Sequence, residues 1–206
     1  MPEFATLVDG YRRFRDGTYQ DQKARYDALA AHGQAPPVMI ISCCDSRVDP
    51  ATIFDTGPGQ IFALRNVANL VPPFETGGGL HGASAAIEFG VLGLGVKQIV
   101  VLGHGQCGGI KAALQGNDPD GDMTFVGEWM GIIGEARDQV VGQSPVDPQR
   151  MLELEAIKVS IANLRTFPFI TERERAGDLK LRGAYFAIDE GVLQVLDDGT
   201  GSFLAV

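Results

Sequence analysis

The chain has 206 residues, 45% of them hydrophobic and 21% charged, with a formal charge of −9. That length and composition suit one globular domain over residues 1–206 and exclude a disordered or fibrous chain. An acidic balance with no basic run argues against nucleic acid and anionic membrane as partners.

No stretch approaches the roughly 18 apolar residues of a membrane span. The N-terminal Met1–Gly10 lacks a basic start and an apolar core of signal-peptide length. Of the three cysteines, Cys43 and Cys44 are adjacent, so a bridge between them would be strained. Free or metal-bound thiols in a reducing, cytoplasmic compartment fit better than a disulfide framework.

In chain order, Phe4, Leu7, Val8, Tyr11 and Phe14 fall on one face of a helix. Asp21 to Ala31 predicts a second, ended by His32-Gly33 and by Pro36-Pro37. Val38–Ile41 predicts a buried strand. Asp49-Pro50 opens a helical turn, Gly57-Pro58-Gly59 is a turn, and Ile61–Leu64 is a second strand. A glycine-rich loop, Glu75 to Gly82, leads into Ala83–Leu92, small and apolar all round, which predicts a buried helix. A third strand, Gln98–Leu102, runs up to His104, and a helix from near Cys107 runs to Gly116. Asn117–Gly121 predicts a loop. Met151, Leu154, Ile157, Ile161 and Leu164 have helical spacing up to Pro168. Leu179–Ile188 and Gly191–Leu196 predict an antiparallel pair of strands. Strands alternating with helices predict an α/β fold: a central, mostly parallel sheet of about four strands with an antiparallel edge strand, flanked by helices and preceded by a helical arm. Ligands in such folds sit at the carboxyl ends of the strands.

Two motifs stand at those ends: Cys43-Cys44-Asp45-Ser46-Arg47 and His104-Gly105-Gln106-Cys107-Gly108-Gly109. Each thiol alone reads more readily as a small buried hydrophobe than as a ligand. Jointly, Cys43, His104 and Cys107 can offer three protein ligands to zinc and leave one tetrahedral position open, the pattern of a catalytic site.

Both motifs, in this order, resemble those of the β-class carbonic anhydrases. Phe62–Asn69 is similar to the family's strand and loop after the first motif, and Ala85–Phe89 to its central helix. The resemblance implies one zinc ion per chain and the reversible hydration of carbon dioxide to bicarbonate and a proton through zinc-bound hydroxide. It selects Cys43, not Cys44, as the ligand. It makes Asp45 the residue that orients the attacking water and accepts its proton, with Arg47 restraining it. It makes Asp45 a fourth ligand only in a closed state. Substrate-pocket positions are Gln34, Phe62, Val67, Phe89 and Gly108. An accessory bicarbonate pocket found in part of the family would need a Trp and a Tyr where this chain has Ile40 and Phe186, so only Arg65 remains, and an open site is expected. The family's site lies at a subunit interface, so a homodimer or a dimer of dimers is expected, with Arg65 a candidate for pairing across it.

Three alternatives stand beside this. Relatives that hydrolyse CS2 or COS keep the same metal site. A redox sensor would use Cys43 and Cys44 but has no need of Asp45, Arg47 or Gln34. Nucleotide binding at Gly103–Gly109 lacks the P-loop Lys-Ser/Thr ending.

Overall fold

The computed structural model describes residues 3–116 and 124–206; the loop expected at Asn117–Gly121 lies outside the described residues. The N-terminal arm is α1 (Phe4–Asp16), α2 (Thr18–Asp21) and α3 (Lys23–His32). None of these helices buries a residue in its own chain, and Phe4, Leu7 and Tyr11 are exposed along α1. An aromatic trio, Phe14, Tyr19 and Tyr26, ties the arm together, with ring centroids 5.1–6.2 Å apart.

The sheet has six strands in the order β2-β1-β3-β4-β5-β6. β1 (Val38–Cys43), β2 (Ile61–Asn66), β3 (Gln98–His104) and β4 (Lys180–Ala187) are parallel. β5 (Val192–Leu196) runs antiparallel, as expected. It is not the edge, however. A short β6 (Phe203–Ala205) pairs beyond it. Three residues after a Gly-Thr-Gly turn carry too little pattern to read as a strand; the neighbour's open ladder makes them one.

Apolar strands buried on both faces explain the runs read from the sequence. Met39, Ile41, Ile99 and Val101 face one core with Ile157 and Ile161 of α9 (Pro148–Leu164) and Ile170 of α10 (Pro168–Ala176). Ile40, Leu102 and Ala184 form a smaller cluster that Phe186 joins. Proline opens α4 (Pro50–Ile53), α9 and α10, and Asp49 and Asp147 cap the first two by accepting from the N–H of the third helical residue, Thr52 and Arg150.

The helix expected to be buried all round is corrected. α5 (Gly82–Glu88) runs into a five-residue π turn, Phe89–Gly93. Ile87, Gly90 and Val91 face the core, while Ala85, Glu88, Phe89 and Leu92 face outward. Gly90 is small because a Cβ there would sit 2.9 Å from Met39 Sδ and 3.3 Å from Phe62 Cδ1.

Three further helices close the other side of the molecule: α6 (Gly108–Leu114), α7 (Thr124–Met130) and α8 (Gly134–Gln143). Their buried residues Ile110, Ala113, Met130 and Val140 form a second core with Cys43, Cys107 and Leu152. No helix among the described residues is long and apolar enough to cross a membrane.

Candidate metal centre and active site

Cys43 ends β1 and His104 ends the adjacent parallel strand β3, so both side chains leave the same edge of the sheet. Three residues on, Cys107 precedes α6. Ligand atoms of Cys43, His104 and Cys107 lie within 4.8 Å of one another, and all three residues are buried. No second group of three such side chains occurs among the described residues.

The donor set fits a cation. His104 Nδ1 contacts its neighbour's carbonyl, Gly105 O, at 2.8 Å, which fixes Nδ1 as the N–H. Nε2 is thereby left as a lone pair, buried and with no hydrogen-bond partner among the described residues. The hydrogen bond between the two thiols drives their proton affinities apart. The Cys43 thiol is pushed down, first by its hydrogen bond with Cys107 and against its burial; the His104 ring and the N–H groups of Asp45 and Ala68 add to this. The Cys107 thiol is pushed up by that same bond and by burial, while the N–H groups of Ile110 and Gly109 pull the other way. Two sulfurs facing N–H dipoles and one imidazole lone pair form a soft donor set that suits zinc.

Ala68 and Asn69 hold left-handed backbone angles, φ 60° and 51°, costly for residues other than glycine. This bend after β2 turns the Ala68 N–H toward Cys43. Gln106 is also left-handed, φ 58°, which frees its carbonyl to accept from Arg47 Nη2 at 3.0 Å.

Asp45 is gripped by Arg47. Oδ1 accepts from Arg47 N and Nε, both at 2.9 Å, and Oδ2 accepts from Nη2 at 2.7 Å. The Arg47 hydrogen bonds hold the Asp45 carboxyl well below the usual carboxylate range. Asp45 is not among the clustered ligand atoms.

Arg65 is engaged within its own chain: Nε donates to Cys43 O at 3.0 Å and Nη2 to Asp45 O at 2.7 Å, with Asp49 Oδ1 3.4 Å from Nη1. It therefore clamps the backbone of the first motif. Ile40 is buried with Leu102 and Ala184, and Phe186 packs against the same cluster, so both accessory-pocket positions are apolar contacts. Cys44, expected as a packed small side chain, is exposed and lines a cavity of about 890 Å³ with Arg65, Val67 and Trp129.

The pocket positions fall into two groups. Val67 follows Asn66, which pairs with Cys43, and Gly108 follows Cys107; both stand beside the ligands. Gln34, Phe62 and Phe89 do not. Phe62 pairs with Met39, four residues before Cys43 and so about 13 Å back along the strand. Phe89 is exposed, its ring centroid 5.9 Å from that of Phe62, and Gln34 is exposed before β1.

Sequence reasoning missed the Gly105 carbonyl, Arg65's backbone clamp and the side chain of Glu153, whose Oε1 accepts from Cys107 N at 2.9 Å. Glu153 sits inside an ordinary helical pattern, and nothing local marks it; its burial is the only signal, and burial belongs to the fold.

A family model described as carbonic anhydrase matches residues 38–193. A carbonic anhydrase of Synechocystis sp. is 33% identical over 203 residues, 97% of this chain and 73% of that protein. One from Synechococcus elongatus is 35% identical over 194 residues, 92% of this chain and 70% of its own length. Among solved structures, the β-carbonic anhydrase CcaA matches with a TM-score of 0.91 at 32% identity, covering 97% of this chain and 90% of that one. A tetrameric β-carbonic anhydrase of Sordaria macrospora matches at 0.80 and 27%, covering 94% and 96%. With both motifs inside the matched segment and the whole fold superimposable on a β-class enzyme, the chain belongs to the β-class carbonic anhydrases.

Proposed function

We propose that this carbonic anhydrase works as a zinc enzyme whose ligands are Cys43, His104 and Cys107, and that Asp45 and Arg47 steer the attacking water. The observation that carries this reading is the buried triad itself, with the His104 Nε2 lone pair turned free beside two thiols. When bound there, zinc supplies the Lewis acidity that makes water a nucleophile near neutral pH.

The chain's own residues do the rest. CO2 + H2O becomes HCO3⁻ + H⁺. Asp45, anionic and held on both oxygens by Arg47, accepts a hydrogen bond from the attacking water and so aims its lone pair. The grip of Arg47 also keeps Asp45 away from the ligand atoms, so that it would not compete with water for a bound zinc. Val67 and Gly108 supply the near wall of the pocket.

The far wall comes from a second copy of the chain, as Gln34, Phe62 and Phe89 stand too far from their own triad to line it. The exposed face Ala85, Phe89 and Leu92, and the arm α1 with its outward Phe4, Leu7 and Tyr11, suit a homodimer or a dimer of dimers. A single domain over residues 1–206 and a cytoplasmic site, where thiols stay reduced, complete the reading.

The test is stopped-flow CO2 hydration against pH on metal-quantified protein, with Cys43→Ser as control. About one zinc per chain and a rate that rises with pH and vanishes in the control are expected. Stoichiometric zinc without CO2 hydration at any pH would refute the mechanism.

A further inference from the structure

Glu153 lies on α9, and its side chain is only 3% exposed. Burying a carboxylate is unfavourable unless its oxygens are satisfied. Here three donors meet it. Oε1 accepts from Cys107 N at 2.9 Å and from Gln149 Nε2 at 3.1 Å; Oε2 accepts from Tyr185 Oη at 2.9 Å. An acceptor-only group suits three donors.

The Cys107 N–H precedes α6, so no helical carbonyl is there to take it. Glu153 takes it instead, and in doing so fixes the peptide plane from which the Cys107 sulfur projects. Tyr185, held by the other oxygen, stops against Gly105: a Cβ on that glycine would lie 3.0 Å from Tyr185 Oη. Gly105 N in turn donates to Phe186 O at 3.0 Å. One carboxylate therefore supports both ends of the loop from Gly105 to Cys107, the loop that sets the third ligand against the other two. The proposed chemistry gives Glu153 no other task.

We propose that Glu153 is a positioning residue for Cys107, which sets how tightly the triad retains its metal by anchoring the Cys107 amide and, through Tyr185, the Gly105 turn. This rests on the reading of Cys43, His104 and Cys107 as zinc ligands.

The test compares wild-type protein with Glu153→Gln and Glu153→Leu. Zinc content is measured first. Then the rate at which a colorimetric chelator removes zinc is followed, with circular dichroism and thermal melting to establish folding. Glu153→Leu is expected to release zinc about 10- to 100-fold faster, the usual cost of losing a partner behind a ligand. Glu153→Gln should stay close to wild type, because its amide oxygen still accepts the Cys107 N–H and its NH2 can donate to Tyr185 Oη. With cobalt in place of zinc, the thiolate-to-metal charge-transfer band should shift in the Leu variant and not in the Gln variant. A folded Glu153→Leu that releases zinc at the wild-type rate overturns the proposal. So does a Glu153→Gln as leaky as the Leu variant, since charge rather than position would then matter. If Glu153→Leu does not fold, Glu153→Asp carries the same expectation, because the shorter side chain cannot span Cys107 and Tyr185. A wild-type protein that holds no zinc at all sinks the metal-site reading itself, a separate result from zinc-loaded protein indifferent to Glu153.

Discussion

Arg47 holds Asp45 by both carboxylate oxygens, with Nε 2.9 Å from Oδ1 and Nη2 2.7 Å from Oδ2, and braces itself on Gln106 O at 3.0 Å. The first motif's acid is thus locked to the second motif's loop. Removing the lock with Arg47→Ala should leave zinc content unchanged and lower CO2 hydration about 100-fold, the scale of a misplaced reacting group. Arg47→Lys should not restore it, because a point charge cannot replace a two-pronged grip. Metal analysis alongside stopped-flow kinetics decides; full activity in Arg47→Ala removes Asp45 from the mechanism.

The same pair sets a pH dependence of stability. Asp45 has its pKa lowered by folding, so its contribution is fully present above the ordinary carboxylate range near pH 4 and is lost as pH falls through the lowered folded value. The melting difference between wild type and Asp45→Asn should therefore be flat from pH 7 down to about pH 5 and shrink below pH 4. A deficit that grows on acidification contradicts the assignment. Since Asp45 stays anionic through the working range, an acid limb of the rate profile must arise elsewhere.

Metal removal should be visible without any assay of turnover. A site built only in the folded chain makes zinc a stabilising ligand, so the melting temperature should rise with free zinc. Each tenfold above the dissociation constant adds about 1.4 kcal/mol. Calorimetry in zinc buffers measures it. Cys43→Ser, which removes a ligand, should lose most of that slope.

Gly109 lies where a Cβ would come 2.9 Å from Val67 Cγ1 and 3.3 Å from Ala68 Cβ. Gly109→Ala should destabilise the protein by about 1–3 kcal/mol, the range for overpacking a close-fitted site. It should also lower activity, because Val67 and the strained Ala68 turn both border the triad. Urea titration gives the first quantity; an unperturbed midpoint would show that the turn yields freely.

Phe89 and Leu92 are about half exposed on the outer face of the π turn that follows α5. Phe89→Glu should yield monomers by light scattering, retain zinc, and lose nearly all CO2 hydration, since the second copy's pocket wall would be gone. A fully active monomer would refute the shared pocket.

Much of this protein was legible in its residues. Apolar runs flanked by turn residues marked β1 to β5, most plainly β1 and β3, because a strand buried on both faces has no other composition available to it. The two motifs were legible because ligands, acid and arginine must be specific side chains at fixed short spacings. The amphipathic α1 was legible because helical spacing is local. The tertiary structure decided what depends on distant partners. Ala83–Leu92 reads as buried all round, and only the fold shows which half of it is left exposed. β6 exists because β5 offers an open ladder. Arg65 turned to Cys43 O and Asp45 O because β2 lies beside β1. Glu153, 46 residues from Cys107, met it only when α9 lay across the sheet. Side-chain chemistry and local periodicity are written into neighbouring residues; which buried group meets which orphaned N–H is fixed only by packing.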